Sequence, residues 1–190
     1  MANITVSTDV DVLLQSANNA AARDSLGVIE YPYTTDFISG VQQTRDLTTI
    51  TNSSGFYTNS NLTSVYFGSN VTSIGTNSLF NCPNLTSVTL GNNITSLGDY
   101  CLRSTGITSI NIPDSVTSIG SSAFDGAPLT SVTFGVGSGL TTIGSSAFYS
   151  TPLTSFTIPA SVTSIGYYAF AYNSSLSRVE CLALTPPTVS

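Results

Sequence analysis

Residues 107–128 read ITSINIPDSVTSIGSSAFDGAP, and residues 153–175 read LTSFTIPASVTSIGYYAFAYNSS. Three more copies of this pattern start at Leu62 (LTSVYFGSNVTSIGTNSLFNCPN), Leu85 (LTSVTLGNNITSLGDYCLRSTG) and Leu129 (LTSVTFGVGSGLTTIGSSAFYSTP), and a sixth begins at Leu176 with LSRVEC. Successive starts lie 23, 22, 22, 24 and 23 residues apart. A degenerate earlier copy, LTTITNSSGFYTNSN, starts at Leu47. A fixed period in this range is the mark of a solenoid, in which each repeat is one structural unit stacked on the next.

The copies share one skeleton. The first half is L-x-x-V-x-I, as in Leu129, Val132 and Phe134, the apolar spacing of a short strand. A turn at Gly68, Gly91, Pro113, Gly135 or Pro159 leads to a second apolar pair, such as Val116 with Ile119 or Val162 with Ile165. A glycine follows (Gly75, Gly98, Gly120, Gly144, Gly166), and four residues on comes a large apolar plug: Leu79, Leu102, Phe124, Phe148 or Phe170. The residue before each plug is small: Ser78, Cys101, Ala123, Ala147 or Ala169. This spacing predicts a β-rich repeat solenoid with two parallel strand ladders and a stack of plugs, each carried on a short helical turn. One repeat cannot close a core, but stacked copies can, because each apolar slot meets its equivalent one coil away. The two-residue insertion in GVGSGL, 135–140, is expected to bulge as a loop without disturbing the ladder.

The pattern LTSVxIPxSVTSIGxxAF over residues 47–190 resembles the BspA-like leucine-rich repeats, and VECLALTPPTV resembles that family's C-terminal segment. The resemblance implies a curved right-handed solenoid used for protein or surface attachment, including adhesins of bacteria and protists, and it carries no catalytic residues. Family members often continue into a further capping stretch. Here the tail Leu182–Ser190, a partner or further residues are left as the cap of the last coil.

Composition narrows the chemistry. The 190 residues suggest one domain, with or without a short extra module; 41% are apolar, enough for a core, and only 7% are charged. There are 31 Ser and 28 Thr but no His, Trp or Lys. Without His there is no imidazole base and no His-ligated metal; without Lys there is no Schiff base and no phosphate-loop lysine. Four Arg against ten acids give a net charge of −6, the wrong sign for nucleic acid or an anionic membrane. The mean hydropathy of +0.25 argues against disorder. No apolar run approaches the roughly 18 residues of a membrane span, and MANITVSTDVDVLLQ has no basic stretch of the kind that opens a secretory signal. Cys82, Cys101 and Cys181 fall in apolar or small slots and read as buried free thiols.

Residues 1–27 lie outside the repeat and read as a helical attachment segment. Ser7, Thr8 or Asp9 can cap a helix through VDVLLQSA, and Asn18 or Asn19 a second, AAARDSL, ending at Gly27. The string DVLLQSANNAAARDSLGV resembles a motif near the N-termini of bacteriophage tail-fibre and other virion appendage proteins. That resemblance implies docking to other virion proteins through Leu13, Leu14, Gln15, Ala17, Ala21, Arg23 and Leu26. The alternative is a cap on the first coil's apolar face. Residues 28–46, VIEYPYTTDFISGVQQTRD, read as a linker or capping strand before the solenoid at 47–190.

Two surfaces are candidates for ligand binding. Thr108, Thr130 and Thr154 belong to a Thr column beside the strands, which suits a neutral, hydroxyl-rich face. Tyr149, Tyr167, Tyr168 and Tyr172 cluster around the last two plugs, where earlier copies hold mostly Ser, Thr or Asn. The plain alternatives are β-branched residues suited to exposed strands and aromatics packed at an edge. Asp99, Asp114 and Asp125 fall in different slots, so no catalytic carboxylate pair is indicated. The expectation is a non-enzymatic virion protein without cofactor or metal that binds a host surface protein or glycan. The alternatives are a bacterial cell-surface adhesin and a structural capsid decoration protein. Partners are expected to include neither nucleic acid nor an inserted membrane, and a homo-oligomer is left open because no heptad run supports one.

Overall fold

The computed structural model describes the strands 35–38, 41–44 and 49–50 and the continuous stretch 56–189. The first halves of the repeats form β2 (Val41–Thr44), β4 (Ser64–Phe67), β6 (Ser87–Thr89), β8 (Ser109–Ile112), β10 (Ser131–Phe134), β12 (Ser155–Ile158) and β14 (Arg178–Cys181). The second halves form the two-residue strands β3 (Thr49–Ile50), β5 (Ser73–Ile74), β7 (Ser96–Leu97), β9 (Ser118–Ile119), β11 (Thr142–Ile143), β13 (Ser164–Ile165) and β15 (Thr188–Val189). The second ladder is an unbroken seven-stranded parallel sheet from β3 to β15. The first ladder is parallel too but divided into β2-β4-β6, β8-β10 and β12-β14. A hairpin strand, β1 (Thr35–Ile38), joins its outer edge antiparallel to β2.

The register moves the start of the first coil. Thr49–Ile50 pairs with Ser73–Ile74, and Val41–Thr44 with Ser64–Phe67. LTTI from Leu47 therefore supplies a second-half strand, and the first-half strand lies upstream, in the segment read as linker or capping strand. The two halves are confusable because L-x-x-I is the apolar spacing of both. The first plug is Phe56, with 1% of its surface exposed. Two residues on, the Thr58 amide donates to the Phe80 carbonyl, just as the Asn81 amide, two residues after Leu79, donates to the Arg103 carbonyl.

The plug turns are not helical, and there is no helix among the described residues. Instead the backbone alternates hand around each plug. Asn77 and Asn81 (φ 58° and 54°) flank Leu79, Tyr100 and Ser104 (57° and 55°) flank Leu102, and Ser122 and Gly126 (51° and 68°) flank Phe124. This alternation turns every second amide towards the next coil. Tyr100, Leu102 and Ser104 donate to the carbonyls of Ser121, Ala123 and Asp125, and Ser122, Phe124 and Gly126 to those of Ser145, Ala147 and Tyr149, all at 2.8–3.0 Å. A helix would have spent these amides on its own carbonyls. The turns thus make a third inter-coil ladder, which satisfies backbone groups that would otherwise need water.

Side chains lock the coils at this spacing. Phe124 and Phe148 stack with ring centroids 5.1 Å apart, and Phe148 and Phe170 at 5.5 Å. The recurring glycine is set by closeness rather than by its own φ. A Cβ on Gly98, Gly120 or Gly144 would lie 2.6 Å from backbone of the preceding coil. The hydroxyls are structural as well. Thr95, Thr117, Thr141, Thr163 and Thr188 each donate Oγ1 to the carbonyl of the equivalent Thr one coil earlier, at 3.0–3.3 Å. The abundance of Thr is in this column a hydrogen-bond supplement to the ladder.

Phe124→Ala empties the middle of the plug stack and is expected to cost about 3–5 kcal/mol. Gly120→Ala forces two backbones apart and is expected to cost about 1–3 kcal/mol, whereas Ser121→Ala keeps its backbone bonds and stays within about 0.5 kcal/mol. Urea unfolding of the three variants checks this order, and equal midpoints would contradict the slot assignment.

Candidate interaction surface

The plug turns carry the most varied exposed side chains, because the alternating backbone buries only the plug and the small residue before it. Tyr149, Tyr167, Tyr168 and Tyr172 all stand on the last two of these turns. Tyr149 and Tyr172 come together with ring centroids 4.9 Å apart, and Tyr167, Tyr168 and Tyr172 are 61%, 73% and 77% exposed. Partial desolvation, followed by the neighbouring Tyr172, raises the Tyr149 hydroxyl above its ordinary pKa.

Thr108, Thr130 and Thr154 are exposed at the entrances to β8, β10 and β12. They are not a uniform row of outward hydroxyls. Thr130 donates Oγ1 to the Thr108 carbonyl at 3.1 Å, and Ser177 donates Oγ to the Thr154 carbonyl at the same distance. The docking residues Leu13, Leu14, Gln15, Ala17, Ala21, Arg23 and Leu26 lie outside the described residues.

The residue after each plug forms a line across the coils: Tyr57, Phe80, Arg103, Asp125 and Tyr149. Tyr57 stacks on Phe80 at 5.3 Å. Arg103 sits over the Phe80 and Tyr100 rings, 5.8 and 5.7 Å from their centroids, and pairs with Asp125 at 3.1 Å. Tyr149 is next in the column, with Asp125 close enough to contribute to its raised pKa. The members are chemically unlike, so no single residue type marks the column in the sequence. Three of the four charges between Leu62 and Ser175 are also spent within the fold: Arg103 on Asp125, and Asp99 on the Ser121 amide at 2.7 Å.

The cysteines divide. Cys101 is fully buried in the small slot before Leu102, and burial pushes its thiol up to about 12. Cys82 is buried with Sγ donating to the Phe56 carbonyl, and burial pushes it up to about 11. Cys181, expected to be buried, is exposed. It occupies an apolar slot of β14, but β14 is the outer strand of its sheet and nothing described lies over it.

A family model described as the BspA type leucine rich repeat region matches residues 39–181 in six copies. Its start agrees with the strand register rather than with a first copy at Leu47. Among solved structures, the pneumococcal vaccine antigen PcpA matches with a TM-score of 0.60 at 25% identity, over 63% of this chain and 30% of that one. The chain thus spans under a third of the length of that relative. A leucine rich repeat protein of T. pallidum matches at 18% identity over 85% of this chain and 86% of its own, with a TM-score of 0.57. One from Bacteroides ovatus matches at 17% identity over 80% and 52%, with a TM-score of 0.51. The last two show the fold alone. No curated protein matches significantly.

The thiols give a prediction with a definite sign. Cys82 and Cys101 hold their protons in the folded state well above the ordinary value of 9.0 and release them near 9 when unfolded. Their contribution to stability is therefore complete below pH 9 and lost as pH rises through 11 to 12. Melting temperature is expected to fall above pH 9, less steeply in Cys101→Ala than in the parent. In native protein at pH 8, iodoacetamide is expected to label Cys181 and spare the other two, and labelling of Cys101 at the rate of Cys181 would contradict its burial.

Proposed function

Because the chain belongs to the BspA-type leucine-rich repeat family, we propose that it is a non-enzymatic attachment protein of a bacterial cell surface. Its contact surface is the tyrosine-bearing edge of the last two plug turns. The observation that carries this reading is the backbone of Tyr168 and Tyr172. Both hold φ at 60°, in columns where the other coils place Asn, Ser, Thr or Gly, apart from the half-buried Tyr100 beneath Arg103. A left-handed conformation costs a bulky L-residue roughly 1–2 kcal/mol, and these rings recover little of that by burial, being 73% and 77% exposed. Side chains that cost stability in conformation and in exposure point to a contact made with something else. Tyrosine suits that role, since it presents large area at low entropic cost.

The surface is also nearly neutral. From Leu62 to Ser175 the only charges are Asp99, Arg103, Asp114 and Asp125, and the Arg103–Asp125 pair is closed on itself. Association through this edge depends on area and hydrogen bonds rather than on charge. The vaccine-antigen status of PcpA supports outward display of such a solenoid. A second reading, a virion appendage docked through residues 1–27, rests on the resemblance of DVLLQSANNAAARDSLGV. Deleting 1–27 separates the two: the virion reading requires loss of incorporation into particles, and the cell-surface reading requires undiminished attachment by the purified solenoid.

Replacing Tyr149, Tyr167, Tyr168 and Tyr172 together by Ser is expected to weaken retention of the purified protein on intact host cells by tenfold or more. Melting is expected near the parent temperature, because serine already holds the same left-handed positions at Ser122, Ser146 and Ser150. Replacing Thr108, Thr130 and Thr154 by Val should leave retention within about twofold, and raising salt from low to physiological strength should change it little, since there are few ion pairs to screen. Full retention by the tyrosine variant would sink this assignment.

A further inference from the structure

The inserted loop of the fourth full repeat does more than bulge. Gly135 and Gly139 are seated on Asp114 of the preceding coil: a Cβ on Gly139 would lie 2.7 Å from the Asp114 carbonyl oxygen, and one on Gly135 would overlap the Asp114 carboxylate. The Gly139 amide donates to that carbonyl at 3.0 Å. The loop is thereby anchored towards the third repeat. On its other side the first ladder lapses, since β10 pairs with β8 and β12 with β14, but not β10 with β12. The same two coils remain joined through β11 and β13 and through the plug turns. What opens is a cleft of about 510 Å³ between the loop, the turn after β12 and Leu182 of the tail.

We propose that this cleft is a binding site for a neutral saccharide, separate from the tyrosine edge. Its size is within the roughly 300–1,000 Å³ of small-ligand sites. Apolar surface comes from Val132, Phe134, Val136, Pro159 and Leu182, against which the C–H face of a sugar ring can lie. Hydroxyls stand among them with fixed polarity. Thr133 Oγ1 donates to Asn111 Oδ1 at 2.9 Å, and Ser161 Oγ donates to the Leu140 carbonyl at 2.6 Å, so both present lone pairs to a ligand. Ser138 Oγ accepts from the Leu140 amide at 3.4 Å and keeps its O–H to give. The interrupted strand pair adds backbone groups outside any ladder. None of the lining residues is charged, and the nearest charge, the Asp114 carboxylate against Gly135, is negative, so an anionic ligand would lose its hydration without a counter-charge. A ligand that is uncharged, apolar on one face and rich in donors and acceptors on its rim satisfies these conditions together.

The test is saturation-transfer NMR and calorimetry on the full chain with three neutral probes: cellotriose, maltotriose and the trimer of N-acetylglucosamine. A trigalacturonate serves as the anionic control, and a Val/Thr hexapeptide as the competing occupant. At least one neutral trisaccharide is expected to bind, with the anionic trimer at least tenfold weaker. Ala160→Trp fills the cleft from an exposed position, and deletion of Val136–Gly137 restores the shorter turn of the third repeat. Each is expected to weaken the trisaccharide at least tenfold while melting near the parent. The four-tyrosine variant is expected to bind it as the parent does, so failure of this site and failure of the tyrosine edge are told apart. The proposal is overturned if all three trisaccharides fail to bind, if folded Ala160→Trp and the deletion variant both bind like the parent, or if only the hexapeptide binds.

Discussion

Everything in this molecule depends on how closely one coil lies on the next. The approach is backbone against backbone at the glycine column, where a single added carbon at Gly98, Gly120 or Gly144 would lie 2.6 Å from its neighbour. At that distance main-chain groups on all three sides of the coil can reach across, and they do so through the two strand ladders and the alternating turns around the plugs. The apolar side chains then have a fixed slot each, and the rings of Phe124, Phe148 and Phe170 stack because their backbones are already held in register. Hydrophobic burial drives the folding, but the spacing that makes the burial regular is set by glycine and by hydrogen bonds.

The same constraint decides where function is free to vary. Core slots are filled in each full coil from Leu62 to Ser175, and the second-strand threonines are committed to carbonyls of the coil before. Side chains beside the plug vary from coil to coil, and in the turn after the first strand only some, such as Ser115 and Ser161, are committed to the coil before. Both departures from regularity fall there: exposed tyrosines in left-handed positions on the last plug turn, and a glycine-rich insertion beside one of the two gaps in the first ladder. Neither departure introduces charge, which is why both proposed contacts are to uncharged partners.

Much of this was legible in the sequence, and the failures have physical causes. The plugs at Leu79, Leu102, Phe124, Phe148 and Phe170 and the two strand halves follow from spacing alone. Phe56 escaped because Thr51 stands where later copies have Gly and the plug follows Ile50 by six residues instead of five, and Leu47 was placed in the wrong half because both halves share one apolar spacing. The small-then-large pair before the plug suggested a helical turn, since nothing in SSAFDG advertises left-handed φ at Ser122. That conformation is imposed by the need to turn amides towards the next coil. Cys181 was read as buried because its slot is apolar, whereas burial depends on what lies over the slot. The tyrosine cluster was visible as a departure from the repeat. The line Tyr57, Phe80, Arg103, Asp125 and Tyr149 was not, because its members share a position and not a chemistry.

Amide hydrogen exchange resolved by residue tests the central claim that the plug turns form a third inter-coil ladder. The account predicts that the amides of Tyr100, Leu102, Ser104, Ser122 and Phe124, although they lie in turns, exchange as slowly as those of Thr95, Thr117 and Gly120 beside the second ladder. Exchange of the turn amides at the rate of exposed loops, with the strand amides still protected, would contradict it.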